Sequence, residues 1–193
     1  MAHQPDRSHG WDAIAEDFMR LRSDAGVSTV RNWAHGLGEG TTVLDIGCGH
    51  GLPLTPVLVS AGLSVSAIDA SPKMVAAYRQ AFPAIPIACE PVEDSRFFDK
   101  KFDAILAIGL IFLLPEHAQR QFIDQVAKHL NPKGWFLFSA PRQICEWKDL
   151  QTGRASSSLG IEAYRACLAE SGLAVIATDE DEGGSFYVSA RKI

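Results

Sequence analysis

The spacing of apolar residues changes at about residue 40 of this chain. Before that point, apolar residues recur every three or four positions, which predicts two amphipathic helices. The two stripes comprise Trp11, Ile14, Ala15, Phe18 and Leu21, and then Val27, Val30, Trp33, Ala34 and Leu37. Glycines at positions 36, 38 and 40 end the second pattern, and from Thr42 onward the apolar residues form short runs instead.

These short runs predict strands that alternate with helices. The strands are expected at 43–46, 64–68, 85–89, 102–108 and 135–139, and helical patterns lie at 53–61, 72–82 and 116–130. Runs that are apolar without alternation are typical of strands buried on both faces, as in a parallel sheet covered by helices. The pattern therefore predicts an α/β fold.

The C-terminal part departs from this alternation. A loop at 142–158 and a helix at 162–170 precede two further strands, at 173–178 and 186–190. The turn between these strands is too short for a parallel crossover, so they must be antiparallel. We interpret residues 1–193 as a single domain, with an N-terminal helical flank at 1–40 and an α/β core at 41–193.

Composition narrows the possible classes of function. The chain has 193 residues, of which 47% are hydrophobic and 21% charged, as in an ordinary soluble globular protein. Its net charge of −5 and the lack of a Lys/Arg run argue against a nucleic-acid partner. The four cysteines are widely spaced, and the histidines share no ligand spacing, so no metal site is expected. With no signal-peptide pattern and no apolar run of about 18 residues, the protein is expected to be cytoplasmic, without a membrane partner.

The candidate chemistry centres on the stretch VLDIGCGHG at 43–51. A strand that leads into a glycine turn and a helix places a ligand at the carboxyl ends of the strands. Gly47, Gly49 and Gly51 allow positive φ and let a ligand lie against bare backbone. Asp45 precedes the turn, where a carboxylate can organise the loop or receive an ammonium group.

Two further acidic positions follow later strands. Asp69 closes the second strand, where an acid can accept hydrogen bonds from both hydroxyls of a ribose. Glu93 and Asp94 follow the third strand and can offer acceptors and a backbone N–H to a purine edge. Together with the glycine turn, these positions predict a site for a nucleoside with an amino-acid-like tail.

A dinucleotide site would have a different glycine spacing. Nicotinamide enzymes use G-x-G-x-x-G, which brings backbone amides and a helix N-terminus onto a pyrophosphate. Here the spacing is G-x-G-x-G, and Leu52 and Pro53 follow it. The spacing therefore favours a ligand without phosphate.

On these motifs the chain resembles the class I S-adenosylmethionine-dependent methyltransferases of the small-molecule type. VLDIGCGHG resembles the first motif of that family, SAIDASPKM the second and EPVED the third, and the stretches FDAILAIGLIFLLPEH and NPKGWFLFSAP resemble the fourth and fifth strands with their flanks. The resemblance implies a doubly wound, Rossmann-like sheet of seven strands in the order 3-2-1-4-5-7-6, with the last strand antiparallel. It also implies S-adenosyl-L-methionine as cofactor.

The resemblance also implies a role for individual residues. The backbone of the turn, including Cys48, would cradle the methionine part of the cofactor, and Asp69 would bind its ribose, with Ala70 beside the adenine. Glu93 would meet the adenine amino group. Further contacts are implied for Val92 and Asp94, for Ala107 and the two residues that follow it, and for Arg22, which resembles an arginine that pairs with the cofactor carboxylate in some relatives.

The chain lacks some features found elsewhere in that family. After the fourth strand it reads Ala107-Ile108-Gly109-Leu110, without the Asn/Asp-Pro-Pro-Tyr/Phe motif of nucleic-acid and glutamine methyltransferases. The implied acceptor is therefore a small, partly apolar molecule, bound between the N-terminal helices, the loop at 110–116 and the loop at 142–158. No catalytic residue is assigned, although His117 is the best-placed candidate for a general base.

Structural explanations remain open for most of these residues. The glycines are also expected in a tight turn that binds no ligand, and Asp69 could simply stabilise the start of a helix. Glu93, Arg22 and His117 could be solvated side chains on the surface. Two other functions also remain open: a cofactor-binding module that acts through a partner without catalysis, and an NAD-dependent oxidoreductase. The protein is expected to be a monomer or a homodimer.

Overall fold

The computed structural model of the protein describes residues 6–193. Its six α-helices are α1 (Ala15–Leu21), α2 (Val27–His35), α3 (Leu54–Ser60), α4 (Pro72–Ala81), α5 (Glu116–His129) and α6 (Ile161–Glu170). Its nine strands are β1 (Thr42–Ile46), β2 (Ser64–Asp69), β3 (Ile87–Cys89), β4 (Phe102–Ala107), β5 (Leu130–Ser139), β6 (Ile144–Lys148), β7 (Ala155–Leu159), β8 (Leu173–Glu180) and β9 (Phe186–Lys192). Short 3-10 turns lie at Val92–Asp94, Phe97–Asp99 and Ile111–Leu113.

Seven of these strands form one sheet in the order β3-β2-β1-β4-β5-β9-β8. The pairs among β1 to β5 are parallel, whereas β9 runs antiparallel to both β5 and β8. The predicted fold class is therefore confirmed, including the order of the seven strands and the antiparallel last strand. Because the order reverses beside β1, the carboxyl ends of β1 and β4 diverge there and leave a crevice.

Side chains that alternate along the central strands supply the core on both faces of the sheet. Leu44 and Ile46 belong to a cluster that includes the buried side of α5, and Val43 belongs to a second cluster that includes α2 and α3. The buried residues of α5 recur at helical spacing, as its sequence pattern predicts. Helices thus cover both faces, which explains the continuous apolar runs of the parallel strands.

The prediction of a loop at 142–158 was wrong in part. Strands β6 and β7 pair there as an antiparallel hairpin apart from the main sheet, with Trp147 opposite Ser156. In β6 the exposed residues alternate with half-buried ones, a period of two that the sequence does carry. The partner β7 contains three consecutive serines, which conceal its strand character in the sequence.

Residues 131–134, between the predicted helix and the predicted fifth strand, also lie inside a strand. The prediction started the fifth strand at residue 135, but β5 extends from Leu130. The pairing with β4 shifts register between Phe102 and Ala104, and Lys133 adopts a positive φ of 63°. The Asn-Pro-Lys-Gly sequence therefore forms an irregular part of the strand and not a separate turn before it.

A buried amide connects the hairpin to the helices behind it. The Nε2 atom of Gln119 donates to the carbonyls of Leu114 and Ser157, both at 2.9 Å. Its Oε1 atom accepts a hydrogen bond of 2.6 Å from the hydroxyl of Tyr164. Gln119, Leu114 and Tyr164 are all buried, so the Leu114 carbonyl and the Tyr164 hydroxyl pair with this amide in place of water, whereas Ser157 is half-buried.

We expect Gln119→Met to lower the free energy of unfolding by about 1–3 kcal/mol, because it leaves the Tyr164 hydroxyl and two carbonyls short of a partner in the interior. Urea unfolding followed by circular dichroism measures the change. Gln121→Met is the matched control, since Gln121 is exposed on the same helix, and it should stay within about 0.5 kcal/mol of wild type. Equal losses in both variants would contradict the role given to Gln119.

Candidate functional site

A cleft of about 720 Å³ lies at the carboxyl ends of β1, β2 and β4. This volume is within the range of about 300–1,000 Å³ that is usual for ligand pockets. The glycine turn after β1 lies on one side, and the N-terminal segment, the 3-10 turns and the hairpin contribute the rest of the lining. Of the sequence-predicted residues, the cleft is lined by Arg22, Asp45, Gly47, Cys48, Gly49, Gly51, Asp69, Ala70, Val92 and Glu93.

The glycine turn folds back over the end of β2. The backbone N–H groups of Gly47 and Cys48 both donate to the carbonyl of Ile68, at 2.8 and 3.2 Å. Gly51 has a φ of +86°, and a Cβ atom there would lie 2.6 Å from the ring of Phe82 and 2.8 Å from that of Tyr78. Glycine at 51 is therefore required by packing against α4 as well as by its backbone conformation.

Asp69 fixes the position of this turn. One carboxylate oxygen accepts a hydrogen bond of 2.8 Å from the N–H of Gly49, and the other accepts one of 2.8 Å from the N–H of Ser71. Burial raises the pKa of Asp69, while these two donors oppose the shift. The side chain thus ties the turn after β1 to the start of α4 and still lines the cleft.

Asp45 lies deeper, at the base of the same cleft. It is 3% exposed, and burial together with the charge of Asp69 raises the pKa of its carboxyl group to about 7. Two carboxyl groups thus lie at the base of the cleft without an ion pair to a basic side chain among residues 6–193. Such a region favours a cationic ligand over an anionic one.

The segment before α1 lies across the ends of β2 and β3. Asp12 accepts hydrogen bonds from the hydroxyl of Ser71 at 2.6 Å and from the N–H of Lys73 at 2.9 Å, so it satisfies the start of α4. Three residues before Asp12, the Nε2 atom of His9 lies 3.6 Å from a carboxylate oxygen of Glu93. The hydrogen bond and charge of His9 outweigh the effect of burial and lower the pKa of Glu93.

The remaining sequence-predicted residues lie outside the cleft. Asp94 is exposed and pairs with Arg7, and Ala107 is 0% exposed beneath the surface. The two residues that follow Ala107, Ile108 and Gly109, do line the cleft. The N–H of Gly109 donates to the hydroxyl of Ser139 at 2.8 Å, which fixes the chain at the end of β4.

Comparisons with known proteins agree with this geometry. Residues 43–134 match a family model described as a methyltransferase domain. The magnesium protoporphyrin IX methyltransferase of Synechocystis, solved with bound SAM, superposes with a TM-score of 0.78 at 18% identity, covering 100% of both chains. The chain thus has the fold of a known methyltransferase, and just under half of it matches the family model.

Two curated proteins are similar to part of this chain. A probable phthiotriol/phenolphthiotriol dimycocerosates methyltransferase 2 of Mycobacterium ulcerans is 26% identical over 135 residues, which are 68% of this chain and 52% of that protein. The ubiquinone biosynthesis O-methyltransferase of Caulobacter vibrioides is 36% identical over 103 residues, which are 50% of this chain and 39% of that protein. The chain thus spans about half, or less, of the length of these curated relatives.

Two histidines, His9 and His50, line the cleft. His117, the predicted candidate base, is exposed on α5 and does not line it, so that prediction is corrected. His50 does line it and is buried, with its ring 6.3 Å from that of Phe18 and its Nδ1 atom without a hydrogen-bond partner among the described residues. Burial, with a smaller effect of Arg22, lowers the pKa of His50, which favours the neutral ring.

Sequence reasoning missed the N-terminal contacts of the site. Asp12 meets Ser71 across 59 positions, and no spacing rule connects the two. Arg142, another lining residue, lies in the stretch expected to bind the acceptor, but nothing in the sequence singled it out. Among the aromatic residues of the C-terminal half, Trp147 and Tyr187 line the cleft, whereas Tyr164 lies in the core.

The raised pKa of Asp45 predicts a pH-dependent stability. A folded-state pKa of about 7 means that the folded protein binds this proton more tightly than the unfolded chain does. The stabilising contribution is therefore complete below the ordinary pKa near 4 and is lost as the pH rises through about 7. At roughly 1.4 kcal/mol per pKa unit, the stability advantage of Asp45→Asn over wild type should grow by about 1–3 kcal/mol between pH 5 and pH 8.

Urea unfolding of the ligand-free protein at the two pH values measures this change. Asp103→Asn is the control, because hydrogen bonds from Thr42 and Asn131 lower the pKa of Asp103, which is ionised at both values. Its effect on stability should be the same at pH 5 and pH 8. A difference between wild type and Asp45→Asn that does not change with pH would contradict the assignment of a protonated Asp45.

Proposed function

We propose that this protein transfers a methyl group from S-adenosyl-L-methionine to a small-molecule acceptor. The observation that carries the proposal is the glycine turn with two carboxyl groups, the buried Asp45 and the half-buried Asp69, at the carboxyl ends of adjacent strands. A pyrophosphate would meet two acidic groups at this position. S-adenosylmethionine has no phosphate, and its sulfonium and ammonium groups are positive, so its charge fits this region.

Different residues of the cleft would bind different parts of the cofactor. The backbone of Gly47, Cys48 and Gly49, with Asp45 below, would hold the amino-acid part, and Arg22 would meet its carboxylate. The guanidinium of Arg22 donates only to the neighbouring carbonyl of Ser23 among the described contacts, so it has donors to spare.

The nucleoside part would lie at the other end of the cleft. Asp69 would accept from the ribose hydroxyls while it holds the turn, and Ala70, Val92 and Glu93 would surround the adenine. In this proposal Ile108 and Gly109 take the place given to Ala107, and Asp94 acts only through its pair with Arg7.

Methyl transfer requires little proton transfer by the protein's own side chains. The cofactor supplies an electrophilic methyl group when bound, so the chain mainly has to orient the acceptor and exclude water. The segment of Arg7, Ser8 and His9 lines the cleft beside Glu93 and would exclude water. The apolar side chains beyond Gly109 would orient the acceptor.

Residues 6–193 include no helix that is long and apolar enough to cross a membrane. A cytoplasmic location, a monomeric or homodimeric state and the lack of a nucleic-acid partner remain predictions from the sequence. The small-molecule acceptor is supported by relatives whose names include ubiquinone biosynthesis O-methyltransferase and fatty-acid O-methyltransferase.

Calorimetric titration tests the cofactor. We expect S-adenosylmethionine and S-adenosylhomocysteine to bind and NADH not to bind, because the turn lacks the spacing for a pyrophosphate. Release of S-adenosylhomocysteine in the presence of a panel of small acceptors then tests transfer. Binding of NADH alone would refute the proposal, and cofactor binding without turnover on a broad panel would favour the non-catalytic alternative.

The role of Asp69 is tested by Asp69→Asn. Loss of a charged acceptor should weaken binding of S-adenosylhomocysteine by about 1–3 kcal/mol, or roughly 5- to 150-fold in Kd. Asp99→Asn is the matched control, since Asp99 is exposed and pairs only with Arg96. Thermal unfolding shows whether the variant keeps its fold, and wild-type affinity in a folded Asp69→Asn protein would remove Asp69 from the site.

A further inference from the structure

The part of the cleft beyond Gly109 is lined by flat, apolar side chains. The rings of Phe112 and Trp147 lie 5.4 Å apart between centroids, one from the turn after β4 and one from the hairpin. Phe186, at the start of β9, lines the same cleft. We call this region, formed by Phe112, Trp147, Phe186 and Arg142, the aromatic chamber. Such walls suit a flat apolar molecule.

Arg142 is the cation of the aromatic chamber. Its guanidinium carbon lies 5.9 Å from the centroid of the Phe186 ring. No carboxylate within residues 6–193 lies at ion-pair distance from Arg142, whereas Arg7 and Arg154 each have an acidic partner. A guanidinium placed on an aromatic face, with its donors free, is suited to bind a carboxylate through two parallel hydrogen bonds.

The carboxylates near the chamber are already engaged by hydrogen bonds. An oxygen of Asp149 accepts from the N–H groups of Gln151 and Thr152 and from the Thr152 hydroxyl. Asp181 accepts from the N–H groups of Gly183 and Ser185 and from the hydroxyl of Tyr187.

These contacts leave little basic capacity in the chamber. Burial alone would raise the pKa of Asp181, but its hydrogen bonds outweigh that effect and the pKa is lowered. Burial and the bond to Asp181 raise the pKa of Tyr187, so its phenol stays protonated at neutral pH. Glu180, the remaining acid of this part of the lining, is exposed to solvent. A carboxylate is in any case a weak base toward an alcohol or an ammonium group.

From the free guanidinium and the aromatic walls, we infer that the methyl acceptor is a carboxylate carried on a flat, apolar body, with Arg142 as its specificity-determining residue. This inference rests on the proposed function. A carboxylate is already ionised at neutral pH, so its methylation needs no base. An oxygen lone pair forms the new C–O bond, the bond between methyl carbon and sulfonium sulfur breaks with its electron pair left on sulfur, and no proton moves. The products are a methyl ester and a neutral thioether.

Binding without turnover tests the recognition of the carboxylate. Benzoate, cinnamate and 2-naphthoate, each paired with its carboxamide, are titrated into protein saturated with S-adenosylhomocysteine and followed by saturation-transfer NMR. We expect at least one pair in which the carboxylate binds tenfold or more tightly than the amide. Arg142→Gln should abolish that preference, and Arg142→Lys should retain part of it because it keeps the charge but not the planar fork.

The chain offers a matched control in Arg191. Its guanidinium carbon lies 5.0 Å from the centroid of the Trp135 ring, so it is a second arginine stacked on an aromatic side chain, and it does not line the cleft. Arg191→Gln should leave the preference for carboxylates unchanged. The inference is overturned if no pair shows a preference, or if Arg142→Gln and Arg191→Gln, both folded by thermal unfolding, behave alike.

The product tests the inferred reaction separately. With S-adenosylmethionine labelled in its methyl group, active acceptors should yield label that mild alkali releases as methanol, as a methyl ester requires. Label found only in alkali-stable ethers or amines would overturn the carboxylate inference and leave the proposed methyl transfer intact. Failure of S-adenosylmethionine to bind would instead refute the proposed function, whether or not the carboxylate probes bind.

Discussion

The carboxylate of Asp69 joins parts of the molecule that are far apart in the chain. It accepts from the N–H of Gly49 in the turn after β1 and from the N–H of Ser71 at the start of α4. Asp12 of the N-terminal segment reaches the same helix start through the hydroxyl of Ser71. The turn, the helix and the covering segment therefore share one set of hydrogen bonds, and the shape of the cleft depends on it. Such a network is costly to break in part, because each buried group that loses its partner pays for desolvation.

Electrostatics explains why this network suits one kind of ligand. Burial raises the pKa of both Asp45 and Asp69, and the charge of Asp69 adds to the shift at Asp45. A positive ligand lowers the cost of ionising these groups, whereas a phosphate increases it. The same glycine turn that holds a dinucleotide in other folds is thus directed toward a phosphate-free nucleoside by two side chains.

The two ends of the cleft differ in the way their walls are held. At the nucleoside end, His9 and Arg7 contact Glu93 and Asp94, so the wall is polar and depends on the N-terminal segment. At the acceptor end, the aromatic chamber rests on the hairpin, which Gln119 anchors to α5 through Ser157. The fold is common to many methyltransferases, so under the proposed function specificity for an acceptor would belong to these added elements and not to the sheet.

The sequence by itself determined the sheet and the local chemistry of its strand ends. Apolar runs without alternation required burial on both faces, and the short link before Phe186 required an antiparallel last strand. The glycine spacing and Asp69 follow one another closely along the chain, so their meeting at one edge of the sheet could be predicted. These inferences succeed because each depends on contacts between elements that are close neighbours in the chain.

Tertiary structure decided what the sequence left open. The hairpin β6–β7 was hidden by a serine run, since polar strands outside the core leave no apolar pattern. Asp12 meets Ser71, and Arg142 meets Phe186, over separations at which no local rule applies. Ala107 and Asp94 do not line the cleft, although their chain neighbours Ile108 and Glu93 do, because a shift of one residue along a strand or turn moves a side chain to the other face. Packing decides which side chains reach the cleft, and packing depends on several segments that are distant in the chain.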